Sequence, residues 1–230
     1  MSMLGTRRVR LWLTALLFSL VIQTVPAAAE VRMTFWSRDT SNYFPHAFFT
    51  LKGTLDATGQ PIDESYGFTL NDLNPIALFT AVPAHVDHTN KKYIRGSDAQ
   101  FRIAITDAQY AAIKAQVAEW GAPGSKWSLN KRNCVFFVAE AARRAGLIVV
   151  EDKRLMKKPK SFTRSLIALN PGRVTVLDTD AAGYWAKYPK DENFAVPADN
   201  KASVLERRMS KRPKVEDAPM PAPVAAVPAR

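Results

Sequence analysis

The stretch LNKRNCVFFV, residues 129–138, decides how the chain is expected to fold, because it predicts the start of a buried helix at about Asn133. The apolar pattern continues at helical spacing to Ala145, and Gly146 is a natural stop. The buried face comprises Val135, Val138, Ala139 and Ala142. This helix carries Cys134, the only cysteine among the 230 residues, close to its first turn.

The position of Cys134 at a helix start has two interpretations. A helix N-terminus presents free N–H groups and the positive end of the helix dipole, and the neighbouring Lys131 and Arg132 add positive charge, so all of these favour a thiolate. Cysteine is also among the residue types that are most often buried, and a lone core thiol is common. The position alone therefore leaves a reactive and a structural cysteine both open.

The first 29 residues are typical of a secretory signal peptide. Arg7, Arg8 and Arg10 provide a positive start, residues 11–25 form an apolar core, and residues 27–29 are three alanines that suit cleavage. The apolar run is shorter than the roughly 20 residues that span a bilayer. We therefore expect a cleaved signal and a periplasmic or secreted protein, in a compartment where thiols usually become oxidised.

Composition narrows the class of protein further. A single cysteine excludes a disulfide framework within the chain, and with only three histidines it also excludes a Cys-rich zinc fold. The chain is 47% hydrophobic and 23% charged, which is typical of a globular protein. Its net charge of +11 falls to +8 when the three arginines of the signal are removed, and a positive charge favours polyanionic surroundings.

The remaining pattern predicts an α+β domain in which a small antiparallel sheet packs on the helix that carries Cys134. Predicted strands cover residues 31–35, 47–51, 65–70 and 100–105, and a long loop at 53–64 joins the second and third as a hairpin. Predicted helices cover residues 106–120, opened by a capping box, 133–145, and 162–169, with Ser161 as cap. Residues 71–96 have no clear period and contain two prolines, so they are expected to form a loop with short turns.

The expected organisation is one domain of residues 30–198, with its core in residues 43–170. Residues 199–230 are basic at first and then rich in Pro and Ala. Such a composition cannot bury enough apolar surface to offset the entropy of ordering it. We therefore expect a disordered tail after the domain.

His46 is the candidate partner for the cysteine. It stands at the head of the strand PHAFFTLKG, residues 45–53, where a catalytic base can be held rigidly. A histidine that takes the thiol proton and later gives it to the leaving group is what thiol acyl-transfer chemistry needs. Taken singly, His46 is also consistent with a histidine at a strand end that has no chemical role.

The order of these motifs resembles that of the circularly permuted papain-like hydrolases, a group related to the NlpC-type cell-wall endopeptidases. The resemblance runs from a histidine that opens a strand, His46, through Tyr66-Gly67-Phe68 on the next strand, to Asn133-Cys134 opening a helix. It includes Trp127-Ser128-Leu129 before the cysteine and the helix end Ala145-Gly146-Leu147. It implies a papain-like fold and a thiol hydrolase acting on an amide or ester, with Cys134 as nucleophile, His46 as base and no cofactor.

The resemblance leaves the other members of the site open. Related enzymes often use a third polar residue to orient the histidine, and a hairpin turning near Gly59 would place Asn71 or Asp72 opposite His46. A shift in that turn would bring Thr69 or Glu64 instead. The oxyanion hole would use the N–H of Cys134 and a donor from the preceding loop, for which Ser128 and Asn130 are candidates.

Two other features invite a functional reading. A metal could be bound by His85 and His88, with Asp87 between them and His46 as a third ligand. Pro83 indicates a loop, however, and no acidic cluster follows at ligand spacing, so no metal site is expected. The basic run Lys153, Arg154, Lys157, Lys158 and Lys160 is consistent with a solvated face or with attraction to an anionic envelope surface. No aromatic residues interleave with it, so no nucleic acid partner is expected.

The sequence therefore favours an exported thiol hydrolase that cleaves an amide bond through Cys134 and His46. Peptides of the peptidoglycan type are the expected substrate, because an exported bacterial-type hydrolase meets them. The alternative is a non-catalytic envelope protein with a structural Cys134 and a basic tail. Neither the third catalytic residue nor the oligomeric state follows from the sequence.

Overall fold

A computed structural model of the chain describes residues 30–39, 45–72 and 74–192. The expected signal peptide at 1–29 and the expected tail from 199 lie outside these residues. Within them the chain forms seven strands: β1 (Val31–Arg38), β2 (His46–Thr54), β3 (Pro61–Leu70), β4 (Val82–Asp87), β5 (Asp98–Ile105), β6 (Lys126–Trp127) and β7 (Thr175–Asp180). Five α-helices accompany them: α1 (Lys91–Arg95), α2 (Asp107–Trp120), α3 (Cys134–Arg144), α4 (Pro159–Leu169) and α5 (Ala181–Lys187). Two short 3-10 helices cover Pro75–Leu78 and Pro189–Glu192.

The strands form one antiparallel sheet in the order β6-β4-β3-β2-β1-β5-β7. Helices α3 and α4 pack on one face of this sheet, while α2 lies beside α3 and against β4. Helix α5 and the short α1 lie on the other face. The prediction of an α+β domain with an antiparallel sheet packed on the cysteine helix is confirmed at this level.

Side-chain alternation along β2 divides the interior into two clusters. Ala47 and Phe49 face the larger cluster, which lies between the sheet and helices α2, α3 and α4. Phe48 points to the opposite face, where Trp36, Ile94 and residues of α5 surround it. Because both faces of β2 are covered, residues 47–51 are all buried, and this explains why three apolar residues, Ala47, Phe48 and Phe49, follow one another instead of alternating with polar ones.

Local signals in the sequence predicted the first two long helices correctly. At the start of α2 the Thr106 hydroxyl accepts a hydrogen bond from the Gln109 N–H at 3.2 Å, and the Gln109 side chain accepts one from the Thr106 N–H at 2.9 Å. This is the expected capping box. Helix α3 begins at Cys134 with Asn133 as its cap, and Gly146 follows its end with a φ of 82°, a left-handed conformation that favours glycine.

Several expectations were wrong. Residues 71–96 are not a loop, because they contain a 3-10 helix, β4 and α1. Strand β4 was missed because Pro83 interrupts its pattern. Pro83 is tolerated there because β4 lies near the sheet edge, between β3 and the two-residue β6.

Two further boundaries differ from the prediction. Helix α4 starts at Pro159, not Phe162, so Ser161 lies inside the helix and is not its cap. Proline is favourable in a first turn, because it lacks an N–H that would be unsatisfied there. The loop of the β2–β3 hairpin is shorter than expected, since the strands pair out to Thr54 and Pro61.

Phe137 lies at the centre of the larger cluster, and its replacement by alanine should destabilise the fold strongly. Its ring is fully buried, with ring centroids 5.6 Å from Phe49 and 5.2 Å from Trp120. We expect Phe137→Ala to lower the free energy of unfolding by about 3–5 kcal/mol, as measured by urea denaturation. The neighbouring Phe136 is only half-buried, so Phe136→Ala is the matched control and should cost much less. Equal losses for the two variants would contradict this placement of the core.

Candidate functional site

Cys134 is the first residue of α3, and its thiol lies against the main chain at the start of β2. The residue is 7% exposed. Its sulfur is 4.0 Å from the carbonyl oxygen of Pro45, to which the thiol can donate only a long hydrogen bond. On the other side of His46, the main-chain N–H of Ala47 lies close enough to favour the ionised thiol and so to lower its pKa. The helix and the strand therefore meet at the main chain on both sides of His46.

Opposing effects act on the ionisation of this thiol. Burial is the largest effect, and it raises the pKa of Cys134 to about 11. The main-chain N–H groups of Ala47, Cys134 and Val135 oppose this and lower the pKa, although the Val135 N–H is already bonded to the Asn133 side chain. In the arrangement seen here the thiol is therefore protonated at neutral pH.

Asn133 holds the start of α3 through four hydrogen bonds. Its side-chain oxygen accepts from the N–H groups of Val135 at 2.7 Å and Phe136 at 3.3 Å. Its side-chain nitrogen donates to the carbonyl oxygens of Leu129 and Met156, both at 2.9 Å. The residue is 2% exposed, so these bonds are shielded from water. An asparagine before an apolar helical run is itself a capping signal, so the role of Asn133 could have been predicted from the sequence.

The His46 ring lies on the face of the sheet that is opposite to α3. It stacks on Phe48 with 6.0 Å between ring centroids and meets the edge of Tyr93, also at 6.0 Å. Burial, followed by the nearby charge of Arg38, lowers the pKa of His46 to about 4. The imidazole is therefore neutral at physiological pH, which a general base requires.

Gly67 makes room for this ring. A Cβ atom at position 67 would lie 2.6 Å from the His46 Nε2 atom, which is closer than real contacts allow. Gly67 pairs with Phe48 across β2 and β3, so the His46 ring extends over the neighbouring strand. This close approach gives a physical reason for the glycine in Tyr66-Gly67-Phe68.

The structure thus brings Cys134 to the main chain of His46 but does not bring the thiol to the ring. No hydrogen bond joins the two side chains within the described part of the chain. Side chains alternate along a strand, and this directs the ring toward Phe48 while Ala47 faces α3. A catalytic dyad would require the His46 side chain to turn at the end of β2, and the pairing of the two residues stays a prediction.

The candidates for a third polar residue lie at the end of β3 and just after it. The pairing of β2 with β3 ends at Phe48 and Gly67, and the same register carried two residues further would bring Thr69, one of the alternatives, opposite His46. A role for Asn71 or Asp72 in orienting His46 stays a prediction. The Asn71 side-chain oxygen is 2.7 Å from Nδ1 of His85.

Glu64, the other alternative, faces Leu51 across the hairpin. Its carboxylate accepts hydrogen bonds from the Tyr110 hydroxyl at 3.1 Å and the Lys114 ammonium group at 3.0 Å. Glu64 therefore belongs to a surface network that includes α2, and it does not orient His46.

The proposed oxyanion donors lie in the turn that precedes α3. Ser128 and Arg132 pair through main-chain hydrogen bonds of 2.9 and 3.0 Å, and Asn130 is exposed at the tip between them. The Asn133 side chain connects this turn to the helix by donating a hydrogen bond to the carbonyl oxygen of Leu129. Asn130 is four residues and Ser128 six residues before Cys134 along the chain. An oxyanion role for either side chain stays a prediction.

The histidines of β4 and its end are not arranged as a metal site. His85 bonds to Asn71, and burial lowers its pKa, while the His88 ring packs against Tyr66 with 5.1 Å between centroids. Among residues 30–39, 45–72 and 74–192, no group of three or more His, Cys, Asp or Glu could hold a metal ion. The same residues include no helix that is long and apolar enough to cross a membrane.

An open groove of about 350 Å³ follows the outer side of α3. Trp120, Arg132, Phe136, Glu140 and Arg143 are among the residues that line it. Its charges largely satisfy one another, since Glu140 bonds to both Arg143 and Arg144, and the Arg132 guanidinium stacks on Trp120 at 4.0 Å. The Cys134 thiol points instead toward β2.

Comparison with known proteins identifies no family model, curated protein or solved structure that matches this chain. The resemblance to the permuted papain-like hydrolases therefore rests on the motif residues. Those residues are His46, Tyr66-Gly67-Phe68 and Asn133-Cys134, with their flanking segments. The structure establishes an α+β fold with a seven-stranded antiparallel sheet.

Asn133→Ala should destabilise the protein more than the loss of an ordinary helix cap. The substitution leaves two N–H groups and two carbonyl oxygens without their partner, and we expect a loss of about 2–4 kcal/mol in the free energy of unfolding. Asn90→Ala is the matched control, because Asn90 caps α1 by accepting a hydrogen bond of 2.9 Å from the Tyr93 N–H, and loss of an ordinary cap should cost about 1 kcal/mol. Equal losses in urea denaturation would show that the bonds to Leu129 and Met156 contribute nothing.

His46 should make the protein less stable in acid. Its folded-state pKa lies below the ordinary value of 6.5, so the unfolded chain binds the proton more tightly, and stability is lost as pH falls from about 6.5 toward 4. We expect a contribution of about 2 kcal/mol, because one pKa unit is worth about 1.4 kcal/mol and His46 is half-buried, so that solvent screens part of the effect. Urea denaturation of His46→Gln between pH 7 and 4 should show a shallower dependence, with His88→Gln as control. An unchanged slope in His46→Gln would contradict the burial of this ring.

Proposed function

We propose that this chain is an exported thiol hydrolase that cleaves an amide bond, with Cys134 as nucleophile and His46 as general base. The observation that carries the proposal is the position of Cys134 at the first turn of α3, with its sulfur against the main chain of β2 from which His46 projects. The free N–H groups and the positive dipole end of a helix N-terminus stabilise a thiolate.

The proposed reaction begins when His46 accepts the thiol proton and the sulfur attacks the carbonyl carbon of the amide. The developing oxyanion receives hydrogen bonds from the N–H of Cys134 and from a donor of the preceding turn, where Ser128 and Asn130 are candidates. The carbon–nitrogen bond then breaks, and His46 gives its proton to the leaving amine. A thioester on Cys134 remains.

Hydrolysis of this thioester completes the cycle. His46 takes a proton from water as the water oxygen attacks the thioester carbon, the carbon–sulfur bond breaks, and the proton returns to the sulfur. The products are an amine and a carboxylic acid. The cycle requires the His46 ring to turn from Phe48 toward the sulfur and the thiol to open to solvent.

The substrate class is inferred from location. The secretory signal expected at residues 1–29 would direct the chain out of the cytoplasm. The amide bonds of peptidoglycan-type peptides are accessible in that outer compartment. The charge of the chain is compatible with an anionic envelope nearby. We therefore propose a peptide of this type as substrate, with no cofactor.

A second candidate function is supported by the burial of the site. The thiol is protonated at neutral pH in the arrangement seen here, and the His46 ring lies on the other face of the sheet. Both features suit a non-catalytic envelope protein in which Cys134 fills the core. This candidate shares the fold but requires neither the sulfur nor the imidazole to react.

Alkylation kinetics distinguish the two functions. The folded hydrolase should react with iodoacetamide at pH 6 at a rate well above that of an ordinary thiol. In a fraction of the molecules the thiol proton would reside on His46, and Cys134 would be a thiolate. His46→Gln should lower this rate about tenfold or more, whereas His85→Gln, the matched histidine control, should leave it unchanged. Cys134→Ala should abolish labelling.

A thiol that reacts only after denaturation in urea would contradict the hydrolase and favour the structural cysteine.

Hydrolytic activity provides the second measurement. The wild-type protein should release free amino groups from purified peptidoglycan peptides, and Cys134→Ala should abolish that release. Release that persists in Cys134→Ala would also exclude the proposed mechanism.

A further inference from the structure

One end of the sheet combines exposed apolar and unpaired basic side chains around Cys134. At this end, here called the Cys134 end, β2 begins, β3 finishes, β4 begins and α3 starts. Two other segments reach the same end. The turn 128–132 continues from β6, which pairs with the start of β4, and the segment 153–158 is joined to Asn133 through Met156.

Among the residues of the β3–β4 connection that the structure describes, 71–72 and 74–81, three large apolar side chains are exposed to solvent. Phe79 is 88% exposed, Ile76 50% and Leu78 42%. These three residues, here called the apolar loop, are held by the 3-10 helix Pro75–Leu78, whose cap Asn74 accepts a hydrogen bond from the Ile76 N–H at 3.0 Å. Exposure of this kind in an ordered loop indicates contact with an apolar partner.

Four lysines without an acidic partner lie in the two other segments that reach the Cys134 end. Lys131 lies in the turn 128–132, and Lys153, Lys157 and Lys158 lie in the neighbouring segment. All four are exposed, and none pairs with an acidic residue of the described chain. Arg154, by contrast, is paired with Asp152.

The two segments are also close to each other and to the apolar loop. The Asn133 side chain donates to Leu129 in the turn and to Met156 in the segment, so both lie within one hydrogen bond of the same residue. The turn follows Trp127, which pairs with Val82 immediately after the apolar loop. The segments that carry the apolar and the basic groups thus lie at the same end of the sheet.

We propose that the Cys134 end docks on an anionic lipid bilayer, with the apolar loop inserted among the lipid chains and the lysines against the headgroups. An interfacial site requires both components, because apolar side chains bind the hydrocarbon boundary and lysines are attracted to anionic lipids. A soluble polyanion would use the lysines but would leave Phe79 exposed. The proposal does not depend on catalysis by Cys134. It would place the start of α3 at the membrane surface.

Vesicle binding tests the proposal with the mature chain, residues 30–230. The protein should sediment with vesicles of phosphatidylglycerol and phosphatidylcholine, and much less with phosphatidylcholine alone. Phe79→Ser should weaken binding about tenfold or more, because it removes the most exposed apolar group. Lys157→Glu/Lys158→Glu should also weaken it and reduce its dependence on salt.

Matched controls lie elsewhere on the molecule. Val176 is an apolar residue, 53% exposed, on the edge strand β7, and Lys190 is an exposed lysine beside Asp191, which pairs with Arg32 near the opposite end of β1. Val176→Ser and Lys190→Glu should bind vesicles like the wild type. If either control weakens binding as much as its counterpart, the Cys134 end is not the docking surface.

Insertion itself can be measured with a fluorescent label, because the chain has a single cysteine. In a Cys134→Ser background, an environment-sensitive dye attached through Phe79→Cys should shift to the blue when anionic vesicles are added, and a dye attached through Val176→Cys should not. Unchanged binding by Phe79→Ser, together with loss of binding by the lysine variant, would identify a polyanion site and overturn the proposal. Absence of binding, or equal binding to both vesicle types, would also overturn it.

Discussion

The four hydrogen bonds of the Asn133 side chain are the constraint on which the arrangement around Cys134 depends. They cap the first turn of α3 and join it to the turn before the helix and to the segment before α4. Because the amide is buried, water cannot replace a lost partner, and each bond restrains the main chain it reaches. Three separate segments of the chain are therefore held around one residue, next to the cysteine.

The second constraint is the alternation of side chains along β2. The strand presents its main chain to the Cys134 sulfur, its odd-numbered residues to α3 and its even-numbered residues to the other face. Gly67 then allows the His46 ring to lie over β3 on that face. Cys134 therefore lies against the main chain beside His46, while its sulfur and the His46 ring lie on opposite faces of the sheet. Catalysis by the pair would thus depend on motion at the end of β2.

Predictions succeeded where a local interaction determines the structure. The capping box at Thr106 and the helix stop at Gly146 follow from bonds or conformations within a few residues. The strand that begins at His46 was found from its run of apolar residues, although its bonds are to β1 and β3. Predictions failed where distant contacts override a weak pattern. Strand β4 contains a proline and little periodicity, yet it forms because β3 offers it a long partner.

The last strand and helix illustrate the same limit. Neither β7 nor α5 was predicted, because β7 is mostly exposed and α5 is only seven residues long. Both are stabilised by β5 and by the second cluster, in which the Tyr184 hydroxyl bonds to Thr34 at 3.1 Å and to Asp191 at 2.6 Å. These partners are between seven and 150 residues away along the chain.

By itself, the sequence determined the α+β class, the helix that begins at Cys134 and the strand that begins at His46. Each depends on capping groups and apolar spacing that act over a few residues. Only the tertiary structure decided which face of the sheet each side chain occupies and how burial shifts the pKa of the thiol and of the imidazole. Strand register and the depth of burial depend on elements packed from distant parts of the chain, and no local pattern encodes them.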